Sequence, residues 1–111
     1  MKKNKLPIIA AVDQVSLDQI GPYIEKNLKE IDFYKIGLEI FNLGGKTLIK
    51  SLETQLSREY FLDLKLHDIP NTVFQSIKSL EGLNPKFLTI HLSGGKNMIL
   101  SALRARDQYL P

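Results

Sequence analysis

Phe61-Leu62-Asp63-Leu64-Lys65-Leu66-His67-Asp68-Ile69-Pro70-Asn71-Thr72 is an alternating run that ends in a turn. Successive side chains of a strand point to opposite faces. Leu62, Leu64 and Leu66 therefore share one face, and Phe61, Asp63, Lys65 and His67 share the other. The first face is wholly apolar and suited to lie under helices. The second becomes charged toward its C-terminal end. Asp68-Ile69-Pro70 then stops the strand, and Asn71 reads as the N-cap of a helix bearing Val73, Ile77 and Leu80, with Gly82 at its C-terminal end.

The same arrangement recurs on both sides of this stretch. Pro7 to Asp13, Asp32 to Leu38 and Lys86 to Leu92 are further strand-like runs. The first is followed by a helical stretch from about Ser16 to Glu30, with Ile20, Ile24 and Leu28 in phase. Ser16 and Gln19 are placed to form a capping box, and Gly21-Pro22 predicts that the continuous helix starts near Pro22. A second helix is predicted after Gly44-Gly45, carrying Leu48, Ile49, Leu52 and Leu56. A last helix after Gly94-Gly95 carries Ile99, Ala102 and Leu103. Four β-α repeats imply an α/β fold with a parallel sheet, because each crossover helix returns the chain to the same end.

The length of 111 residues suits one small domain, and no linker or low-complexity segment divides it. With 43% apolar and 24% charged residues the composition is ordinary for a globular protein, which excludes disorder and collagen-like structure. Cys is absent, which removes disulfides, thiolate nucleophiles and thiolate metal sites. A net charge of +3 from scattered Lys and Arg is too mild for a nucleic-acid partner but suits a small anionic substrate. The longest apolar run, Leu6 to Val12, is far short of the roughly 20 residues of a membrane span. Met1 to Val12 faintly resembles a signal peptide, but Asp13 ends it without a small-residue cleavage site, so a buried strand is the reading adopted.

The strand phases carry the functional signal. Ile9, Ala11 and Asp13 share a face in the first strand, Phe33, Lys35 and Gly37 in the second, and Phe87, Thr89 and His91 in the fourth. Parallel strands buried on both faces normally read as continuous apolar runs. Here the same face turns polar at the C-terminal end of all four, where parallel α/β folds bind their ligands. Lys35, Asp63, Lys65 and Asp68 alternate in sign, so each charge can keep opposite neighbours, and Asp13 belongs to the same rim. A protonated Lys held among carboxylates is a ready general acid. A structural ion-pair network is the other reading of such an array. His67 and His91 lack the further ligands that a metal site needs. Asn42 and the two Gly pairs lie in loops after strands, where Gly more often makes a turn than an anion site.

The segment from Phe61 to Thr72 resembles the orotidine 5'-phosphate decarboxylase family, whose signature is Asp-x-Lys-x-x-Asp-Ile. Ala10-Ala11-Val12-Asp13 is similar to the family's first-strand Asp motif. Asp32-Phe33-Tyr34-Lys35-Ile36-Gly37-Leu38-Glu39 is similar to its second-strand Lys motif. Thr89-Ile90-His91-Leu92-Ser93-Gly94-Gly95 is similar to its fourth-strand segment, with Leu92 where a small residue is usual.

The resemblance implies a (β/α)8 TIM-type barrel of which residues 1–111 are the first four β/α units, the N-terminal half of a single domain. It implies decarboxylation of orotidine monophosphate to UMP, in pyrimidine biosynthesis in the cytoplasm, without metal or organic cofactor. By motif position Lys65 protonates C6 and Asp63 faces the departing carboxylate. Lys35 and Asp68 complete the charged tetrad, and Asp13 and Lys35 hold the ribose hydroxyls. Asp68, Ile69 and Thr72 reach the neighbouring subunit's site, so the enzyme is expected to be a homodimer. The family's phosphate grip comes from later loops, beyond the four units read here. Two other readings accompany this one. One is a Mg2+-dependent sugar-phosphate lyase or decarboxylase of the same superfamily, which Lys35 and Asp68-Ile69-Pro70 argue against. The other is an inactive half-barrel that works only by association.

Overall fold

A computed structural model describes residues 5–13, 16–27 and 30–111. Four strands alternate with four helices: β1 (Ile9–Val12), α1 (Ile20–Asn27), β2 (Phe33–Ile36), α2 (Leu38–Gln55), β3 (Glu59–Leu66), α3 (Pro70–Lys78), β4 (Phe87–Ile90) and α4 (Lys96–Tyr109). The sheet order is β1-β2-β3-β4. β1 pairs with β2 and β2 with β3 in parallel, in the registers Ala11↔Lys35 and Lys35↔Phe61. Each strand thus lies beside its sequence neighbour, the commoner arrangement for consecutive elements. These are four consecutive β/α units of the TIM-barrel type. Among the described residues no helix is long and apolar enough to cross a membrane.

The chain forms two compact units, Met1–Asp63 with Pro85–Phe87 and Leu64–Asn84 with Leu88–Pro111. In the first, the predicted alternation holds. Tyr34 and Ile36 of β2, Tyr60 and Leu62 of β3 and Val12 of β1 are buried, together with Ile40, Ile49 and Leu52 of α2. Each such aliphatic side chain contributes about 1.5–3 kcal/mol on burial. The Tyr34 and Tyr60 rings stack at 5.5 Å, and the Tyr60 hydroxyl donates to Glu53 Oε2 at 2.5 Å. The Tyr34 hydroxyl is buried and has no hydrogen-bond partner among the described residues. Burial, and secondarily the Glu53 carboxylate, push its pKa well above the ordinary tyrosine value. In the second unit Val73 and Ile77 of α3 pack with Met98, Ala102 and Ala105 of α4, flanked by Leu66, Leu88 and Ile90.

Several helix boundaries differ from the sequence reading, each for a local reason. α1 starts at Ile20, after a 3-10 turn over Leu17–Gln19, and Pro22 sits in its first turn, where a missing N–H costs nothing. Ser16 precedes that turn without a side-chain cap, so the capping box does not form; the Gln19 N–H donates instead to the Ser16 carbonyl. Leu28 lies outside the described residues. α2 begins at Leu38, several residues before Gly44-Gly45. Gly45 takes φ 63 and joins two helical segments at a kink, a conformation that favours glycine. Ile69 is the N-cap of α3, with Pro70 in its first turn, and Asn71 is already helical. α4 buries Met98, Ser101, Ala102 and Ala105, whereas Leu103 is 38% exposed.

Candidate active site

In the first unit, β2 and β3 bring Lys35 and Asp63 together. Lys35 is level with Phe61, so Asp63 lies one alternate position further along β3, on the same face. The Lys35 side chain reaches forward, and its Nζ lies 3.1 Å from Asp63 Oδ2. The Asp63 side chain is only 6% exposed and that of Lys35 30%. A cation at that distance offsets the desolvation of a nearly buried carboxylate. Behind the pair, Phe33 and Phe61 contact Phe87 at ring-centroid distances of 5.5 and 5.8 Å. Phe33, Phe61 and Phe87 thus form an aromatic cluster at the strands that carry the pair. Asp13 follows directly on β1, exposed, two residues beyond Ala11, which pairs with Lys35. Asp13 makes no ion pair among the described residues.

The second unit holds the remaining predicted residues. Lys65 is exposed, has φ 48, and is the non-glycine residue with positive φ among those described. That region is sparsely populated for a side chain of this size. The Lys65 N–H donates to Thr89 Oγ1 at 2.9 Å. Asp68 Oδ1 accepts the Ile69 N–H at 2.7 Å and so fixes the chain where β3 gives way to α3. Ile69 is 66% exposed, and Thr72 is exposed in the first turn of α3. His67, Asp68, Ile69 and Pro70 line an open concavity of about 540 Å³ with Ser93 and Gly94. The His67 and His91 rings lie 4.8 Å apart at 30°. Among the described residues no group of three or more His, Asp or Glu could hold a metal ion.

Sequence reasoning named Asp13, Lys35, Asp63, Lys65, Asp68, Ile69 and Thr72 as site residues; it placed Thr89 on the polar strand face and Pro70, Ser93 and Gly94 in motif segments without giving any of these four a role in the site. Thr89 carried a usable signal, as the polar residue between Phe87 and His91 on one strand face. Ser93 and Gly94 belong to a 3-10 turn whose course no periodicity reveals.

Comparison with known proteins extends these observations. Residues 6–110 match the family described as "Orotidine 5'-phosphate decarboxylase / HUMPS family". The orotidine 5'-phosphate decarboxylase of Fusobacterium nucleatum is 38% identical over 108 residues, covering 97% of this chain and 44% of that protein. The crystal structure of orotidine 5'-phosphate decarboxylase from Lactobacillus acidophilus superposes with a TM-score of 0.81 at 38% identity, over 96% of this chain and 48% of that one. The Methanocaldococcus jannaschii orotidine 5'-monophosphate decarboxylase complexed with inhibitor BMP gives a TM-score of 0.83 at 20% identity, covering 94% and 49%, a likeness of fold. The chain spans less than half the length of the curated relatives it matches.

Proposed function

The chain belongs to the orotidine 5'-phosphate decarboxylase / HUMPS family, and from that premise we propose that it is the N-terminal half of a single (β/α)8 barrel that converts orotidine monophosphate to UMP and CO2. The observation that carries the proposal is the Lys35–Asp63 pair, a 3.1 Å ion pair with a nearly buried carboxylate at the C-terminal end of parallel strands. A structural ion pair gains nothing from that location, whereas ligand binding in this fold occurs there.

The chemistry follows from the residue types. The bond from C6 of the pyrimidine to its carboxylate breaks, CO2 leaves, and the electron pair stays on C6 with no ring position to delocalise it. The Lys65 ammonium stabilises this charge as it develops and then transfers a proton from Nζ to C6. Lys65 is left neutral and regains its proton from solvent. Asp63 faces the substrate carboxylate, where like charge favours its departure. Lys35 holds Asp63 in place and, with Asp13, binds the ribose hydroxyls. Asp68, Ile69 and Thr72 reach into the neighbouring site of a homodimer, a role supported by the exposure of Ile69 beside the concavity. The reaction uses no metal or organic cofactor, and the enzyme works in the cytoplasm. Phosphate binding by the C-terminal half supplies energy that is used at the reacting carbon.

The test is turnover of orotidine monophosphate by the full-length protein, followed by CO2 release, in the parent and in Asp63→Asn and Lys35→Met. Loss of activity in both variants supports the assignment. Parent-like turnover in either variant contradicts it.

A further inference from the structure

We infer that Thr89 is a positioning residue for Lys65: its side-chain hydroxyl holds the backbone of Lys65 in the left-handed conformation that sets the direction of the ammonium. The inference rests on the reading of Lys65 as the proton donor. Three observations carry it. Lys65 has φ 48, a conformation that a long side chain adopts only where its surroundings impose it. The Lys65 N–H donates to a side chain of the neighbouring strand, Thr89 Oγ1, at 2.9 Å. The third is the count of residues along the two strands. Lys86 N–H donates to the Tyr60 carbonyl, and His91 N–H donates to the Leu66 carbonyl. Between these bonds β3 advances from 60 to 66 and β4 only from 86 to 91, so β3 carries one extra residue.

One extra residue opposite a regular neighbour, with a left-handed residue beside it, is the make-up of a β-bulge. Bulges re-aim a side chain out of the regular pleat. A bulge disturbs the regular ladder, and at this point the Thr89 hydroxyl accepts the Lys65 N–H. Thr89 is itself β-branched and half-buried on β4, so its hydroxyl is held in few rotamers. The acceptor is therefore fixed before substrate binds, and a general acid must be fixed closely to reach its carbon.

The experiment compares Thr89→Val, Thr89→Ser and Lys65→Ala with the parent in the full-length enzyme. It reads kcat and KM for orotidine monophosphate and hydrogen exchange of the Lys65 backbone amide. Val keeps the shape and removes the oxygen; Ser keeps the oxygen. In Thr89→Val, Lys65 amide exchange should accelerate about tenfold. In the same variant kcat should fall by about 10- to 100-fold while KM stays nearly constant. Thr89→Ser should restore both. If Thr89→Val does not fold, Thr89→Ala removes the same oxygen and replaces it. Unchanged exchange in Thr89→Val or Thr89→Ala, or equal loss in Val and Ser, overturns the inference. Parent-like turnover by Lys65→Ala would instead refute the proton-donor role, and the exchange measurement would still decide the positioning claim.

Discussion

Replacing Lys35 by Leu should destabilise the protein through Asp63. The Asp63 side chain is 6% exposed, and the Lys35 ammonium lies 3.1 Å from it. At that separation and an effective dielectric of about 20, the attraction is about 5 kcal/mol. Lys35 is 30% exposed, so water recovers part of this when the cation is removed. The loss should therefore fall near the low end of the range for breaking a buried pair, about 3 kcal/mol. Replacing both residues, as Lys35→Leu with Asp63→Leu, should cost much less, because no desolvated charge remains. Chemical denaturation of the protein, read by circular dichroism for the parent, both single variants and the double variant, gives the coupling energy directly. A coupling below about 0.5 kcal/mol would show that the pair behaves as a solvent-screened surface contact and would refute the reasoning.

Other consequences follow from single residues. Lys65→Gly should be more stable than Lys65→Ala by about 1 kcal/mol, because only glycine takes φ 48 without steric penalty; equal midpoints in urea would refute the strain. Tyr34→Phe should be neutral or stabilising, since it removes a buried hydroxyl without a partner, whereas Tyr60→Phe should cost about 1 kcal/mol by breaking the bond to Glu53; thermal melts distinguish the two. Tyr34 also predicts a pH dependence. Its folded pKa is raised, so its contribution is fully present below the unfolded value of 10.0 and declines as pH rises above it. Alkaline denaturation should therefore be milder in Tyr34→Phe, and identical alkaline profiles would contradict that.

Much of this was legible because a two-residue period survives burial on one side. Tyr34 and Ile36, and Tyr60 and Leu62, occupy the buried positions that alternation assigns to them, and Lys35 and Asp63 the opposite ones. Helix starts were less legible. At Gly44-Gly45 the sequence suggests a turn, yet helical segments on both sides continue through a left-handed Gly45. Asn71 is a good cap in isolation, but Pro70 has the φ of a first helical residue and moves the boundary back to Ile69. The bond from Lys65 to Thr89 joins residues 24 apart in sequence, and its geometry departs from the period that made the strands readable.

The central claim of the proposed function, that Lys65 donates the proton replacing CO2 at C6, is tested most directly by Lys65→Ala in the proposed complete barrel with orotidine monophosphate. Decarboxylation is followed by CO2 release and UMP formation, and binding of UMP is measured on the same preparation. The account predicts that turnover is abolished while UMP still binds, because the ribose contacts proposed for Asp13 and Lys35 remain. Turnover within about tenfold of the parent, a barrier change of only about 1.4 kcal/mol, would contradict it.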